Sequence, residues 1–294
     1  MIPNFKIMLV FLLTSLSCEA NVVPPGGGHV ANGRYVIPAG NLFVKITKEK
    51  GAWLTVGDNT ELVIDGEIRL EGNGLICCDI IRVIGHNVRI HGHGAIVGDR
   101  QTHMGKKGEW GMGIRMHGAS DVTVTGLTVA DCWGDCIYIG GGSKNIKINR
   151  CVLKGSRRQG VSITKAEDVT IQGCIIADIS GTMPQYAIDI EPNKQCVVDN
   201  VLIKNVTVVN CDGGFRAIIG RKEYGNARIG RVEISACMVR AKSRHTIHFA
   251  GCEKAIVRNC TIETRKGEKP VIARHVGILT EENNNINYKE ANER

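Results

Sequence analysis

Two stretches of sequence, HNVRIHGHGAIV at residues 86–97 and SDVTVTGLTVAD at residues 120–131, carry the pattern that decides the fold. Each has a polar residue, an alternating apolar pair, a short polar turn and a second apolar pair. Alternation at a period of two residues is typical of a β-strand. The same pattern returns four more times, as KNIKINRCVLKG (144–155), EDVTIQGCIIAD (167–178), DNVLIKNVTVVN (199–210) and GRVEISACMVRA (230–241).

The repeat has a base period of about 23–24 residues, with extra residues in three of the coils. A unit of this size cannot bury a core of its own, so successive units must stack on one another. Three short strands per coil predict an all-β fold, a single right-handed parallel β-helix of about 8–10 coils. A leucine-rich repeat would need a ladder of leucines, and a propeller blade needs roughly 40 residues.

The composition agrees with a β-solenoid. The chain of 294 residues contains 35 Ile and 28 Val against 13 Leu, together with 36 Gly. Branched side chains favour strands, whereas helical proteins are usually rich in Leu, so a helix bundle is excluded. We expect glycine to mark the bends between strands. With 43% hydrophobic and 22% charged residues, the chain is not globally disordered.

The ends of the chain differ from the repeats. Residues 1–20 combine one lysine, a short apolar run and small residues, which is the pattern of a secretory signal peptide. The protein is therefore expected to be secreted or periplasmic, or to be an outer-membrane lipoprotein attached through Cys18. We further expect an N-terminal cap at 21–56, the β-helix at 57–280 and a polar tail at 281–294. None of the other apolar runs is long enough to span a bilayer.

Cysteines recur at or near one place in successive coils: Cys132, Cys151, Cys174 and Cys237, with Cys211 and Cys260 closing strands in a similar way. Adjacent coils lie about 4.8 Å apart, so this spacing predicts a buried column of small side chains. A disulfide framework and a metal cluster are the alternatives that the sequence leaves open.

Three coils carry insertions, at residues 99–111, 180–196 and 221–227. Long loops on a rigid repeat scaffold often carry function, and these three contain several of the few aromatic residues. Loops that merely cap the hydrophobic edges of the coils are the alternative explanation.

A second set of strands aligns beside these insertions. Its inward positions are Ile114, Ile137, Val161 and Ile188. Its outward positions form two columns, Arg115, Tyr138, Ser162 and Asp189 in one and His117, Thr164 and Glu191 in the other. Next to these strands stand Asp135, Arg157, Arg158, Gln159 and Tyr186. We predict that this face is the functional surface.

The stretch WGDCIYIGGGSKNIKINRCVLKGSRRQGVSI (133–163) resembles the central coils of the pectin-lyase-like β-helix superfamily, and is most similar to the polygalacturonases. GGFRAI (213–218) resembles the R-I-K region of that family. The resemblance implies a polysaccharide hydrolase in which Asp135 is the second acid of the G-D-D-C motif and Arg216 binds substrate. The chain departs from the family because Gln159 replaces the G-H-G histidine and the other family acids are missing.

Glycoside hydrolysis requires two carboxyl groups. The candidates are Asp135, Asp189 and Glu191. The last two are separated by one residue, about 6.5–7 Å apart along a strand, and the same pair would also suit Ca²⁺, although no motif requires a cofactor. Pairing with the more distant Asp135 would favour inversion of configuration. The expected substrate-binding residues are Trp110, Arg115, Trp133, Arg157, Arg158, Gln159, Tyr186, Arg216 and Arg221.

Two other functions use the same face. A uronate lyase or C5 epimerase would need arginines to neutralise the substrate and a base, for which Tyr138 beside the cation of Arg115 is the candidate. A glycan-binding β-helix without catalysis is the third possibility. The formal charge of +8 suggests an anionic polysaccharide, and no nucleic-acid motif accompanies it. We expect a monomer or a trimer.

Overall fold

In the computed structural model, the described residues are 20–220, 225–242 and 245–289. Their regular structure consists of 31 strands, which form three long sheets with parallel pairing throughout. Each coil contributes one strand to each sheet, and together the coils complete about nine turns. The predicted all-β parallel solenoid is confirmed.

The three sheets are named here sheet 1, sheet 2 and sheet 3. Sheet 1 contains β1 (Asn21–Val22), β3 (Gly33–Ile37), β6 (Thr60–Ile64), β9 (His86–His91), β12 (Ser120–Thr125), β15 (Ser143–Asn149), β18 (Ala166–Gln172), β21 (Val197–Lys204), β24 (Arg228–Ser235), β27 (Cys252–Arg258) and β30 (Ile278–Glu282). Sheet 2 contains β4 (Asn41–Val44), β7 (Glu67–Leu70), β10 (Ala95–Val97), β13 (Thr128–Ala130), β16 (Val152–Lys154), β19 (Ile175–Ala177), β22 (Thr207–Cys211), β25 (Met238–Ala241), β28 (Thr261–Arg265) and β31 (Asn285–Lys289). Sheet 3 contains β2 (Gly28–Val30), β5 (Ala52–Val56), β8 (Cys77–Val83), β11 (Trp110–His117), β14 (Asp135–Gly140), β17 (Gln159–Ile163), β20 (Tyr186–Ile190), β23 (Gly213–Ile218), β26 (Ile247–Ala250) and β29 (Val271–Arg274).

The register of sheet 3 confirms the predicted columns. Ile114, Ile137, Val161 and Ile188 pair in succession and are fully buried. Parallel in-register pairing stacks identical positions, so the residues one place further along form a column on the outer face. That column is Arg115, Tyr138, Ser162, Asp189, Arg216 and His248.

The cysteines form two columns rather than one. Cys151, Cys174, Cys237 and Cys260 occupy the equivalent corner between sheets 1 and 2, where the backbone amide of the next coil bonds each carbonyl. Cys132, two residues after β13, and Cys211, the last residue of β22, lie at another corner, where the strands of sheet 2 end. The prediction of a single column that included Cys132 was therefore wrong. Cys132 lies ten residues after Val122, whereas Cys151 lies only five residues after Ile146, the position that pairs with Val122. All eleven described cysteines are free thiols, and nine of them are buried.

Asn and Asp make many of the bends alongside the glycines that we expected: among the described residues, 13 Asn or Asp and 17 Gly have positive φ. Six Asn and Asp residues adopt positive φ at equivalent positions of successive coils, near the start of each strand of sheet 1: Asn59, Asn87, Asp121, Asn145, Asp168 and Asn200. Asn and Asp tolerate the left-handed conformation because their short side chains hydrogen-bond locally. Here they also bond between coils, for example from Asn145 to Asp121 and from Asn200 to Asp168.

Strands extend past both predicted boundaries of the β-helix. Strands β1 to β5 lie within 21–56, where we expected a cap, and they pair in parallel with the coils that follow. The segment expected as a polar tail contains β31, which pairs with β28. Its polar side chains are compatible with a strand because most of them point outward. The predicted signal peptide lies almost entirely outside the described residues.

Candidate active-site groove

A groove of about 630 Å³ lies on the outer face of sheet 3, between two of the predicted insertions. Its lining residues come from the two insertions and from four successive coils. They are Glu109, Trp110, Tyr138, Arg158, Ser162, Thr164, Met183, Pro184, Asp189, Glu191, Asn193 and Arg216. The groove therefore combines carboxylates, guanidinium groups, hydroxyls and an exposed indole.

The centre of the groove is a triad of charged groups on neighbouring strands. Asp189 and Glu191 lie on the same side of the chain at the end of β20, and Arg216 pairs with Asp189 in the sheet register. Arg216 Nε lies 2.9 Å from Asp189 Oδ1, and Arg216 Nη2 lies 2.5 Å from Glu191 Oε2. One guanidinium thus bridges both carboxylates and holds them beside each other.

The two carboxylates of the triad differ in environment. Asp189 is 3% exposed, whereas the Glu191 side chain retains 27% of its accessible surface. Gln159 Nε2 donates a 2.8 Å hydrogen bond to Asp189 Oδ2, and Gln159 Oε1 accepts one from the amide of Tyr186. Burial raises the pKa of Asp189 to about 7, and nearby Glu191 adds to this rise while Arg216 opposes it. Asp189 can therefore hold a proton near neutral pH.

Asp135 lies below the groove and does not line it. Its side chain is fully buried, and Arg158 Nη1 donates to both of its oxygens at 3.2 and 3.1 Å. Burial raises the pKa of Asp135, although the Arg158 guanidinium counteracts this effect. Arg158 in turn covers the carboxylate and lines the groove, with its Nε 3.6 Å from Glu109 Oε2. Asp135 is thus placed to orient Arg158 rather than to reach a substrate.

Tyr138 lies on the groove wall, two coils before Asp189. Its hydroxyl is 2.7 Å from the hydroxyl of Thr164. Arg115, from the preceding coil, packs against the Tyr138 ring with its guanidinium carbon 4.9 Å from the ring centre. Arg115 itself does not line the groove, since it lies toward Asp79 at 3.9 Å.

The inserted segment 99–111 forms the first wall of the groove and the inserted segment 180–196 forms the second wall. A stack of three side chains anchors the first wall. The imidazole of His103 lies parallel to the Trp133 ring at 3.9 Å, and the Arg157 guanidinium lies 3.8 Å from the centre of that ring. His103 Nδ1 is 2.8 Å from Asp99 Oδ2, with both side chains 1% exposed. Trp133 therefore packs against the inserted segment 99–111 and does not reach the groove.

Arg157 connects both walls. Its guanidinium donates to the carbonyls of Gly108 and Lys106, and its own carbonyl accepts from the amide of Thr182 in the second wall. Desolvation by burial lowers the pKa of Arg157. We expected Trp133 and Arg157 to bind substrate. In the structure, both side chains instead contact the inserted segment 99–111, whose residues line the groove.

Replacing Trp133 by Ala should loosen the first wall. The substitution removes the surface that His103 and Arg157 pack on and the indole donor to the Lys107 carbonyl. We expect trypsin to cleave after Lys106 or Lys107 about tenfold faster, because local opening costs less. Trp110→Ala is the matched control, since Trp110 is 47% exposed and should leave the cleavage rate unchanged. Equal cleavage of W133A and the parent protein would contradict the anchoring role.

The structure thus groups six of the predicted site residues along one groove: Trp110, Tyr138, Arg158, Asp189, Glu191 and Arg216. Gln159 supports Asp189 from beneath, and Tyr186 lines an adjoining chamber. Arg221 lies outside the described residues. Sequence reasoning missed Glu109, Met183, Pro184 and Asn193 as lining residues, although all four fall within the insertions that it had identified.

The Asp189–Glu191 pair does not fit a Ca²⁺ ion. Both carboxylates already contact the Arg216 guanidinium, whose charge lies where a cation would have to be held. Ca²⁺ takes six to eight oxygen ligands. Within the described ranges, no group of three or more His, Cys, Asp or Glu side chains is arranged to hold a metal ion.

The chain belongs to the right-handed β-helix family. The family model described as "Right handed beta helix region" matches residues 67–226, which contain the groove and most of the solenoid. Among curated proteins, it is similar to the SPbeta prophage-derived uncharacterized protein YorA of Bacillus subtilis (strain 168), with 30% identity over 188 residues. The match covers 55% of this chain and 32% of YorA. The chain therefore spans only about a third of that relative.

Solved structures share the fold at low sequence identity. The endo-xylogalacturonan hydrolase from Aspergillus tubingensis has a TM-score of 0.58 and 12% identity, over 88% of this chain and 86% of that one. The tailspike of Escherichia coli bacteriophage HK620, solved with a pentasaccharide, has a TM-score of 0.56 and 14% identity, over 90% and 57% of the two chains. Pectate lyase Pel9A has a TM-score of 0.54 and 9% identity, over 85% and 70%. These likenesses confirm the pectin-lyase-like fold.

Residues 20–220, 225–242 and 245–289 include no helix with the length and apolar character that crossing a membrane requires.

Proposed function

We propose that this protein is a carbohydrate-active β-helix enzyme that hydrolyses a glycosidic bond of an acidic polysaccharide bound along the groove. The observation that carries the proposal is the triad, in which a nearly buried Asp189 with a pKa of about 7 lies beside the more exposed Glu191. Two carboxyl groups in unlike environments are what glycoside hydrolysis uses as acid and as base or nucleophile.

Each residue of the triad has a role in this mechanism. Asp189, whose pKa of about 7 keeps a large protonated fraction near neutral pH, would donate its proton to the leaving glycosidic oxygen. Glu191 would act as the ionised partner, either by activating water or by attacking the anomeric carbon. Arg216 orients Glu191 through its contact at 2.5 Å. Water supplies the hydroxyl group that ends on the new reducing sugar, so the step needs no cofactor.

The residues that line the groove offer both apolar and hydrogen-bonding surfaces to a sugar chain. Trp110 exposes nearly half of its surface at the edge of the groove, and aromatic faces are large apolar surfaces on which a sugar ring can stack. Hydroxyl and amide groups of Ser162, Thr164 and Asn193 lie along the same groove. We further propose that the protein acts outside the cytoplasm, as the sequence of residues 1–20 indicates.

Elimination from a uronic acid is the second candidate, supported by the Tyr138 hydroxyl in the groove. It is less favoured because both groove arginines already face carboxylates, Arg158 with Asp135 and Arg216 with the acidic pair. An elimination mechanism would need positive charge available to neutralise the substrate carboxylate.

Product mass separates these functions. The purified chain is incubated with polygalacturonate, alginate, a glycosaminoglycan and neutral xylan, and the products are weighed by mass spectrometry. Hydrolysis should release oligosaccharides with the mass of the intact sugars plus one water, whereas elimination gives products lighter by one water that absorb in the ultraviolet. Epimerisation would leave chain length and mass unchanged but alter the sugar's NMR spectrum. Binding without any chemical change would overturn the enzymatic proposal in favour of a glycan-binding protein.

A further inference from the structure

A second chamber, of about 510 Å³, continues the groove along the outer face of sheet 3. It shares Met183, Pro184 and Arg216 with the groove, so the two cavities adjoin at these three residues. A sugar chain that passes over them would place one sugar above Asp189 and the next in the chamber. None of the chamber's histidines or lysines has a role in the mechanism proposed above.

The chamber has a positive electrostatic environment at His248. This residue continues the outward column one coil beyond Arg216. Burial is the main cause that lowers the pKa of His248 to about 4, and His245, Arg274 and Arg216 each lower it further. These three residues belong to three successive coils. Lys242 adds another positive charge to the lining. Asp212 is the acidic residue among the described lining residues.

The geometry of His248 also leaves one hydrogen-bonding atom for a ligand. Its Nε2 is buried and has no hydrogen-bond partner among the described groups. The rings of His245 and His248 are 5.1 Å apart, and the guanidinium of Arg216 lies 5.3 Å from the ring centre of Tyr186. A buried ring nitrogen without a partner is costly unless a bound molecule supplies one.

We propose that this chamber is a subsite for the anionic substituent, a carboxylate or a sulfate ester, of the sugar next to the one cleaved. The inference rests on the proposed function and specifies where the substrate's charge is recognised. An anion placed against His248 would meet the positive side chains of several coils and would accept the hydrogen bond that the imidazole otherwise lacks.

The test measures binding in a variant that cannot hydrolyse the ligand. In the Asp189→Asn background, calorimetry compares hexagalacturonate with its fully methyl-esterified form, and a sulfated galactan hexasaccharide with its desulfated form. We expect at least one anionic member to bind about tenfold more tightly than its neutral counterpart, which corresponds to about 1.4 kcal/mol. The two pairs distinguish a carboxylate from a sulfate.

Adding His248→Gln or Lys242→Ala to that background should remove most of the preference for the anionic form. His86→Ala is the matched control, because His86 is an exposed histidine on sheet 1 that contacts Asp121. Equal affinity for charged and neutral forms, no binding by any of the four, or a preference unchanged in both chamber variants would overturn the proposal. Because binding is measured without cleavage, a failure of the hydrolytic mechanism would leave this result intact.

An independent readout needs no substitution in the chamber. Proton NMR follows the imidazole of His248 as pH falls, with and without the tighter anionic oligosaccharide. A bound anion favours the protonated ring, so the pKa should rise by a unit or more from about 4. A ligand that binds without moving this pKa would place the anion elsewhere and would contradict the inference.

Discussion

Asp189→Asn should lower the rate of polysaccharide cleavage by about 10²–10⁴-fold, the range that a positioned general acid contributes. Asparagine keeps the size of the side chain but has no proton to give to the leaving oxygen. The Gln159 amide and the Arg216 guanidinium, which hold Asp189, remain in place. The loss should therefore appear chiefly in kcat, measured as the release of reducing ends.

Asp65→Asn is the matched control for this prediction, since Asp65 is an exposed aspartate outside the groove. It should retain full activity. If Asp189→Asn also retained most of the activity, the role of Asp189 as the acid would be contradicted, and elimination through Tyr138 would become the leading candidate. Tyr138→Phe would then be expected to abolish activity.

The pH dependence of the parent enzyme follows from the same group. An acid catalyst must be protonated, so kcat/KM, which reports the free enzyme, should be high below the pKa of Asp189 and fall as pH rises through about 7. In Arg216→Gln, the positive charge that lowers the pKa of Asp189 is lost. The falling limb of the pH–activity curve should therefore move to higher pH. A falling limb that stays in place would show that another group controls it.

The fold was largely predictable because every coil of the solenoid must bury apolar side chains at the same strand positions. Alternating Ile and Val positions return in every coil, so the inward column from Ile114 to Ile188 and the outward column from Arg115 to Asp189 follow from the period alone. The cysteine columns were predicted less well. Cys132 and Cys211 each lie ten residues after a strand position at which Cys151 and Cys174 follow by only five residues, so they occupy another corner of the coil.

The candidate site was predictable only in part. The outward column and the insertions located the groove. The residue types alone did not show which charged side chains would pair with each other. Arg158 covers Asp135, so an acid that the family resemblance favours is buried beneath the groove. Arg157 and Trp133 are held by backbone carbonyls and a ring stack from an inserted loop, and such loop geometry has no periodic signal in the sequence.

The proposed acid should also make the protein less stable at higher pH. In the folded state the pKa of Asp189 is about 7, against about 3.9 for an unfolded aspartate. The folded state therefore binds more protons than the unfolded state between these values, and its free energy of unfolding falls as pH rises from about 4 to 7. The contribution is fully present below about pH 4 and lost above about pH 7.

Asp189→Asn should remove this dependence, because asparagine has no proton to lose. At pH 8 the variant should be more stable than the parent by about 2–4 kcal/mol, the size expected for a pKa raised by about three units in a nearly buried group. At pH 4 the two should unfold together. Urea unfolding followed by circular dichroism at both values makes the comparison, with Asp65→Asn as the exposed control. A variant that is as pH-sensitive as its parent would show that Asp189 ionises normally in the fold, and the acid role would have to pass to another group.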